Sequence, residues 1–324
     1  MIRVKLRSVG VGLPEKIVTN NDLTKFLDTS DEWIVARTGI RERRIADKES
    51  LLELCEKASR QALERANLQP EDLDMIIVST LTEDRRLPNV SCSLQNLLNA
   101  PKAVCFDISA ACSGFIYASN IARSFIRCGE AKNVLVMGGE ILSKIMDWED
   151  RSTCVLFGDG AGAAVIGISD DETGVLAVDL GTDGKRSRAL RFGEEPIENP
   201  YRKDVAVESR FTHMEGQEVF KFAVSQVPKS IHKVLDEAGK KPEDVDYYLL
   251  HQANMRIIKA VAKHLGQPDE KFLMNIQRYG NTSAASIPIL LNENLENGTI
   301  KKGDLILLAG FGGGLTWGSM LIQL

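Results

Sequence analysis

The sequence predicts an α/β protein built as two similar halves. Three observations carry this: a long-range internal repeat, helical patterns alternating with short apolar runs, and paired turns of small residues. The repeat is the strongest. Ala62 to Asp74, which ends Pro70-Glu71-Asp72-Leu73-Asp74, leads into the apolar run Met75 to Val78; Val234 to Asp246, which ends Pro242-Glu243-Asp244-Val245-Asp246, leads into Tyr247 to Leu250. Each reads as helix, turn, strand. Val134-Leu135-Val136-Met137-Gly138 and Ile306-Leu307-Leu308-Ala309-Gly310 repeat the same spacing (306 − 134 = 172) and read as buried strands. Two echoes in one register are hard to ascribe to chance.

Between the matched strands each half carries a turn of small residues and then an amphipathic helix, from about Gly114 to Cys128 and from about Ala285 to Asn297. Short apolar strands alternating with helices imply mainly parallel sheets covered on both faces. The repeat divides the chain into residues 1–172 and 173–324, related by a pseudo-twofold. A polar stretch from Asp183 to Arg210, holding Pro196 and Pro200, interrupts the second half and reads as a surface excursion.

At 324 residues the chain can rest on burial alone, without disulfides or a structural metal. Its 40 basic and 45 acidic residues give no nucleic-acid signature, so any basic docking site must be local. Met1 to Gly12 alternates apolar residues with Arg3, Lys5 and Arg7 and lacks the apolar stretch of a secretory signal, and no run is long enough to span a bilayer. Six cysteines are scattered without a C-x-x-C pair, which argues against a zinc cage or a redox dithiol. The expectation is a cytoplasmic protein with free thiols and no metal.

One cysteine stands apart. Cys112, in Val104-Cys105-Phe106-Asp107-Ile108-Ser109-Ala110-Ala111-Cys112-Ser113-Gly114-Phe115, follows a short strand and precedes a helix. Such an elbow puts the thiol at a helix N-terminus, where unpaired N–H groups and the dipole favour the thiolate. The alternative is a small buried hydrophobe, which remains the reading for Cys55, Cys105 and Cys128. His251 ends the strand Tyr247 to Leu250, and Asn281 lies in the strand-to-helix turn Gly280-Asn281-Thr282-Ser283-Ala284-Ala285-Ser286. The repeat sets Asn281 opposite Ser109, inside the Cys112 elbow (281 − 109 = 172). All three residues thus fall beyond strand C-termini, where α/β sheets bind ligands. His213, His232 and His264 lack that context and read as surface or helix residues. The runs Gly158-Asp159-Gly160-Ala161-Gly162 and Gly310-Phe311-Gly312-Gly313-Gly314 do not match a phosphate loop; close backbone packing is expected, with the Gly313 N–H turned to an oxyanion.

With these residues in place the chain resembles the β-ketoacyl-acyl-carrier-protein synthase III family, of thiolase-like fold, over nearly its whole length. The resemblance is carried by Asp28-Thr29-Ser30-Asp31-Glu32-Trp33-Ile34, Arg37-Thr38-Gly39-Ile40-Arg41-Glu42-Arg43, Ala110-Ala111-Cys112-Ser113-Gly114-Phe115, Phe157-Gly158-Asp159-Gly160-Ala161-Gly162-Ala163-Ala164, His251-Gln252-Ala253-Asn254-Met255-Arg256-Ile257-Ile258, Gly280 to Pro288 and Phe311-Gly312-Gly313-Gly314. Asn281 separates this branch from relatives with a second His or Cys there; plant-type polyketide synthases share the Cys-His-Asn set.

The resemblance implies a duplicated α-β-α-β-α layering, a homodimer, no cofactor, and acyl-CoA and malonyl-acyl-carrier protein as substrates. Cys112 would take the acyl group, His251 and Asn281 would stabilise the enolate left by decarboxylation, and the N–H groups of Cys112 and Gly313 would form the oxyanion hole. Trp33 would stack on the CoA adenine with Arg151 on its other face, Arg37 would meet CoA phosphates, and Lys221, Arg256 and Lys263 would dock the carrier. Leu87, Leu142 and Phe157 would line the acyl pocket. Leu87 stands where many acetyl-preferring members have Phe at the pocket floor, which implies primers longer than acetyl. Two rival readings remain: a condensing enzyme of secondary metabolism with another primer or acceptor, and a non-catalytic CoA- or carrier-binding module. The intact Cys112, His251 and Asn281 argue against the second.

Overall fold

The computed structural model describes residues 2–194, 197–202 and 210–324, so residues 195–196 (with Pro196) and 203–209 of the Asp183–Arg210 stretch lie outside the described residues. The first half runs β1 (Val4–Gly12), β2 (Ile17–Thr19), α1 (Asn20–Leu23), α2 (Asp31–Thr38), β3 (Glu42–Arg44), α3 (Leu51–Ala66), β4 (Met75–Ser79), α4 (Val90–Leu98), β5 (Val104–Ile108), α5 (Gly114–Arg127), β6 (Asn133–Glu140) and β7 (Gly160–Ile168). The second runs β8 (Gly174–Thr182), β9 (Leu190–Arg191), β10 (His213–Met214), α6 (Gly216–Glu237), β11 (Tyr247–Leu250), α7 (Met255–Leu265), α8 (Ile276–Tyr279), α9 (Ser286–Glu296), β12 (Leu305–Gly312) and β13 (Thr316–Gln323).

One sheet has the order β1-β7-β6-β4-β5 and the other β11-β12-β13-β8. The pairings correspond. β4 lies parallel to β6 as β11 does to β12, and β7 opposes both its neighbours as β13 opposes both of its own. The register of the repeat extends to the turns: single helical turns at Ala111–Ser113 and Ser283–Ala285 precede α5 and α9, each pair displaced by 172. Both turns open on a left-handed residue, Ala111 (φ 46°) and Ser283 (φ 50°).

Side-chain alternation along the strands builds the layers. Met75, Ile77, Val134 and Val136 face inward onto α5 and α9, which they share with Leu249, Ile306 and Leu308 of the other sheet. Ile76, Val78, Leu135 and Met137 face outward onto α3 and α4. Tyr248, Leu250, Leu307 and Ala309 do the same against α6 and α7. The result is helices, sheet, helices, sheet, helices, as the resemblance implied. Each fully buried aliphatic side chain contributes about 1.5–3 kcal/mol, so these clusters make the frame around the site stiff.

Local signals set the helix ends. Ser50 accepts from Glu53 N at the start of α3 while the Glu53 carboxylate accepts from Ser50 N, a reciprocal cap. Ser30 caps α2 by accepting from Trp33 N at 3.1 Å, and Asn254 caps α7 by accepting from Arg256 N at 2.8 Å.

Candidate active site

Cys112 sits in the helical turn between β5 and α5, buried at 7% exposure. The last residues of β12 press against it: a Cβ at Gly312 would lie 2.7 Å from Cys112 N, so only glycine fits. Thr316 ties this glycine turn to the elbow. Its Oγ1 lies 2.7 Å from Ser113 Oγ and donates to Gly313 O at 3.0 Å. Gly313 lines the same cavity as Cys112.

The thiol differs from the expectation of a ready thiolate. Burial pushes its pKa up to about 12, with Glu140 adding to the rise and the neighbouring Ser283 side chain pulling it back. The burial comes from β12, α5 and the Ser283 turn, which pack against the elbow.

His251 follows β11 and extends its ladder by donating its N–H to Ala309 O at 2.8 Å. It is 1% exposed, and burial lowers its pKa to about 3, so the imidazole is neutral. Its Nδ1 lies 2.7 Å from Ser286 Oγ at the start of α9. If Ser286 donates its O–H there, the ring proton is on Nε2, directed away from Ser286. Phe311 holds the ring edge-on at 5.3 Å between centroids. If the ring is the enolate donor that the resemblance implies, Ser286→Ala is expected to slow malonyl decarboxylation about tenfold, the value of one hydrogen bond, while Cys112 acylation stays near wild type. Measuring the two half-reactions separately checks this.

Asn281 is fixed by the glycine run of the first half. Its N–H donates to Leu156 O at 2.8 Å and its carbonyl accepts from Gly158 N at 3.0 Å, so Phe157 and Asn281 pair as a parallel bridge. A Cβ at Gly158 would lie 2.2 Å from Tyr279 O, which makes this run a packing device. The Asn281 Oδ1 accepts from Ser283 N at 2.9 Å, leaving the Nδ2 amide as the donor.

Cys112, His251 and Asn281 line one cavity of about 130 Å³, together with Phe157, Phe220 and Asn254. On the other side of Cys112 a second cavity of about 350 Å³ is walled by Leu142, Ile145, Met146, Phe157 and Phe192. Leu87 belongs to neither. It is 86% exposed in the single chain. The reading of the Asp183–Arg210 stretch is corrected: Leu190, Arg191 and Phe192 line the larger cavity, so its beginning is a wall of the site and not a surface excursion.

Trp33 lies on α2 with the Arg37 guanidinium 4.3 Å and the Arg151 guanidinium 5.2 Å from its ring centre. Arg37 therefore packs on the indole, where the resemblance had put it on phosphate. Arg151 also reaches Asp28. Arg256 donates to Ala36 O at 2.7 Å and Asn254 donates to Arg37 O at 3.0 Å, joining α7 to the end of α2. Lys221 on α6 pairs with Glu218 at 2.8 Å, and Lys263 is exposed on α7. Sequence reasoning does not single out Ser283, Ser286, Thr316 or Glu140. Their one signal is polar side chains within otherwise apolar or small-residue runs.

A doubly wound, duplicated scaffold with a buried cysteine elbow in one half and strand-end His and Asn turns in the other defines the thiolase-like condensing enzymes. Residues 106–184 match the family model for 3-oxoacyl-[acyl-carrier-protein] synthase III, and residues 235–324 match the model for its C-terminal part. The β-ketoacyl-[acyl-carrier-protein] synthase III of Clostridium acetobutylicum is 48% identical over 323 residues, covering 100% of this chain and 99% of that protein. The crystal structure of 3-oxoacyl-[acyl-carrier-protein] synthase III from Aquifex aeolicus superposes with a TM-score of 0.93 at 50% identity, covering 99% of this chain and 100% of that one. The priming β-ketosynthase of the R1128 polyketide pathway gives 0.92 at 35% identity, covering 99% and 96%. The chain belongs to the 3-oxoacyl-[acyl-carrier-protein] synthase III family.

Proposed function

We propose that the chain initiates fatty-acid synthesis by condensing an acyl-CoA primer with malonyl-acyl-carrier protein, through an acyl group held on Cys112. The observation that carries the reading is the shared cavity of Cys112, His251 and Asn281, lined from both halves of the repeat. In the first half-reaction the Cys112 sulfur attacks the thioester carbonyl and CoA leaves. The N–H groups of Cys112 and Gly313 meet the tetrahedral oxyanion, each such donor being worth roughly 3–4 kcal/mol of barrier. In the second, malonyl-acyl-carrier protein loses carbon dioxide and the enolate oxygen accepts from His251 Nε2 and Asn281 Nδ2. A neutral histidine suits this, since it donates without having to be a base. The enolate carbon then attacks acyl-Cys112. Acyl-CoA is a substrate, and no cofactor takes part.

Trp33, Arg37 and Arg151 form the proposed CoA contact, with the two guanidiniums now on the indole available to phosphate and adenine. Leu142 and Phe157 are proposed to line the primer pocket. We place the enzyme in the cytoplasm as a homodimer: its six cysteines are free, and the edge strand β5 exposes Val104 alongside the exposed Leu87. Among the described residues no helix is long and apolar enough to cross a membrane.

Intact-protein mass after incubation with a panel of acyl-CoAs tests the reading: one acyl increment on Cys112 is expected, discharged by malonyl-acyl-carrier protein. Discharge by malonyl-CoA alone would favour an acceptor other than the carrier. For docking, Arg256→Glu is expected to raise the KM for malonyl-acyl-carrier protein about tenfold, since a basic helix face attracts an acidic carrier. Acylation from free acyl-CoA should hardly change. An equal loss in both half-reactions would trace the effect to the Ala36 contact instead.

A further inference from the structure

The reaction leaves one proton without a destination. Acylation requires Cys112 to lose its thiol proton, yet His251 acts as a neutral donor and its Nδ1 already faces Ser286. A carboxylate stands beside the elbow. Glu140, the last residue of β6, is 0% exposed. Its Oε2 accepts from Thr82 Oγ1 at 2.6 Å, Leu81 N at 3.1 Å and Thr80 Oγ1 at 3.3 Å, while its Oε1 accepts from Ser283 Oγ at 3.4 Å. All four donors are neutral, whereas buried carboxylates ordinarily have a cationic partner. Ser283 lines the larger cavity with Cys112, and the single helical turns that carry the two residues pack against each other. The Ser283 backbone is left-handed, which is uncommon for a residue with a Cβ.

We propose that Ser283 and Glu140 form a proton store for Cys112, an inference that rests on the acyl-Cys112 reading above. As the Cys112 sulfur attacks the acyl-CoA carbonyl, its proton passes to Ser283 Oγ and the Ser283 hydroxyl proton passes to Glu140 Oε1. The carbon–sulfur bond to CoA breaks and the CoA thiolate takes its proton from solvent. Glu140 stays protonated and neutral while the acyl group waits. In condensation the enolate carbon displaces the Cys112 thiolate, and the stored proton returns through Ser283 to restore the thiol. Over the cycle Glu140 is unchanged, and the one proton consumed is the one on CoA.

The environment fits a group that changes its charge. Burial raises the Glu140 pKa to about 7, with the Thr82, Leu81, Thr80 and Ser283 hydrogen bonds lowering it in part. The titratable groups facing it are the Cys112 thiol from the elbow and the Cys55 thiol from α3; Asp84 and Asp107 also act on Cys55. Below about 7 the free enzyme already carries a proton on Glu140. The store is then full, so acylation should rise with pH through that value and level off above it.

The test is single-turnover acylation by acetyl-CoA, followed by intact mass across the pH range around neutrality, for wild type, Glu140→Gln and Ser283→Ala. Glutamine keeps the shape and can still accept from Thr82 and Leu81. Both variants are expected to acylate about 100-fold more slowly above the inflection, the usual value of a positioned proton acceptor, and to lose the inflection. Both should still release carbon dioxide from malonyl-acyl-carrier protein at close to the wild-type rate. Glu140→Gln that acylates at the wild-type rate, or keeps the inflection, overturns the store. Equal loss of both half-reactions with a lowered Tm also overturns it, by making Glu140 a buttress of the elbow. Failure of the wild type to acylate at all would sink the functional reading itself, and is thereby distinguished.

Discussion

Cys112→Ser is expected to lose acyl transfer by roughly four orders of magnitude or more, the scale on which removal of a nucleophile acts in enzymes that form acyl intermediates. The hydroxyl would keep the position and the surrounding N–H groups, so CoA binding and the fold should survive. What is lost is ionisation. The thiol is already held up at about 12 by burial, and an alcohol in the same place is harder still to deprotonate. Intact mass after incubation with acetyl-CoA should show no acyl increment. Label transfer to the serine variant at the wild-type rate would remove Cys112 from its proposed role.

The second large effect separates the half-reactions. His251→Ala and Asn281→Ala are each expected to slow carbon dioxide release from malonyl-acyl-carrier protein by roughly 10²–10³, the cost of one oxyanion donor in a site closed to water. Acylation of Cys112 should be nearly unaffected in both. The two donors sit where they can be deleted cleanly: His251 hangs from the end of β11 by its backbone bond to Ala309, and Asn281 from the strand pairing with Phe157. Carbon dioxide release and acyl mass, measured on the same preparations, decide it. Loss of acylation with decarboxylation intact would reverse the roles.

Much of the architecture and of the site is legible in the amino-acid sequence itself. The displacement between Val134 and Ile306 locates both sheets, because a buried strand has to be apolar throughout and so leaves a repeatable mark. The same displacement sets Asn281 opposite the Cys112 elbow, and it also sets His251 opposite Ser79 (251 − 79 = 172). What the sequence does not disclose is anything decided by packing between the halves. The rise in the Cys112 pKa comes from strands and turns distant in sequence that converge on the elbow. Leu87 lies on an exposed segment whose direction no local pattern dictates. Leu190 to Phe192 resemble part of a polar loop because their lining face is short, and the charges after them dominate the composition. Glu140 carries no signal of its own, since a lone carboxylate closing an apolar strand reads as its solvent-facing end. Only the packed structure shows Thr80 and Thr82 closing over it.

The paired left-handed residues Ala111 and Ser283 bear on ancestry. A backbone conformation that costs an L-residue about 1–2 kcal/mol is not expected to arise twice at the same register by accident. It has been inherited in both halves while the side chains around it diverged: cysteine against alanine at 112 and 284, serine against asparagine at 109 and 281, serine against histidine at 79 and 251. An ancestor formed from two identical copies would have presented the same reactive group twice. Divergence has left Cys112 to one lineage of the repeat and His251 and Asn281 to the other, so that on the proposed reading neither copy retains a complete chemistry of its own.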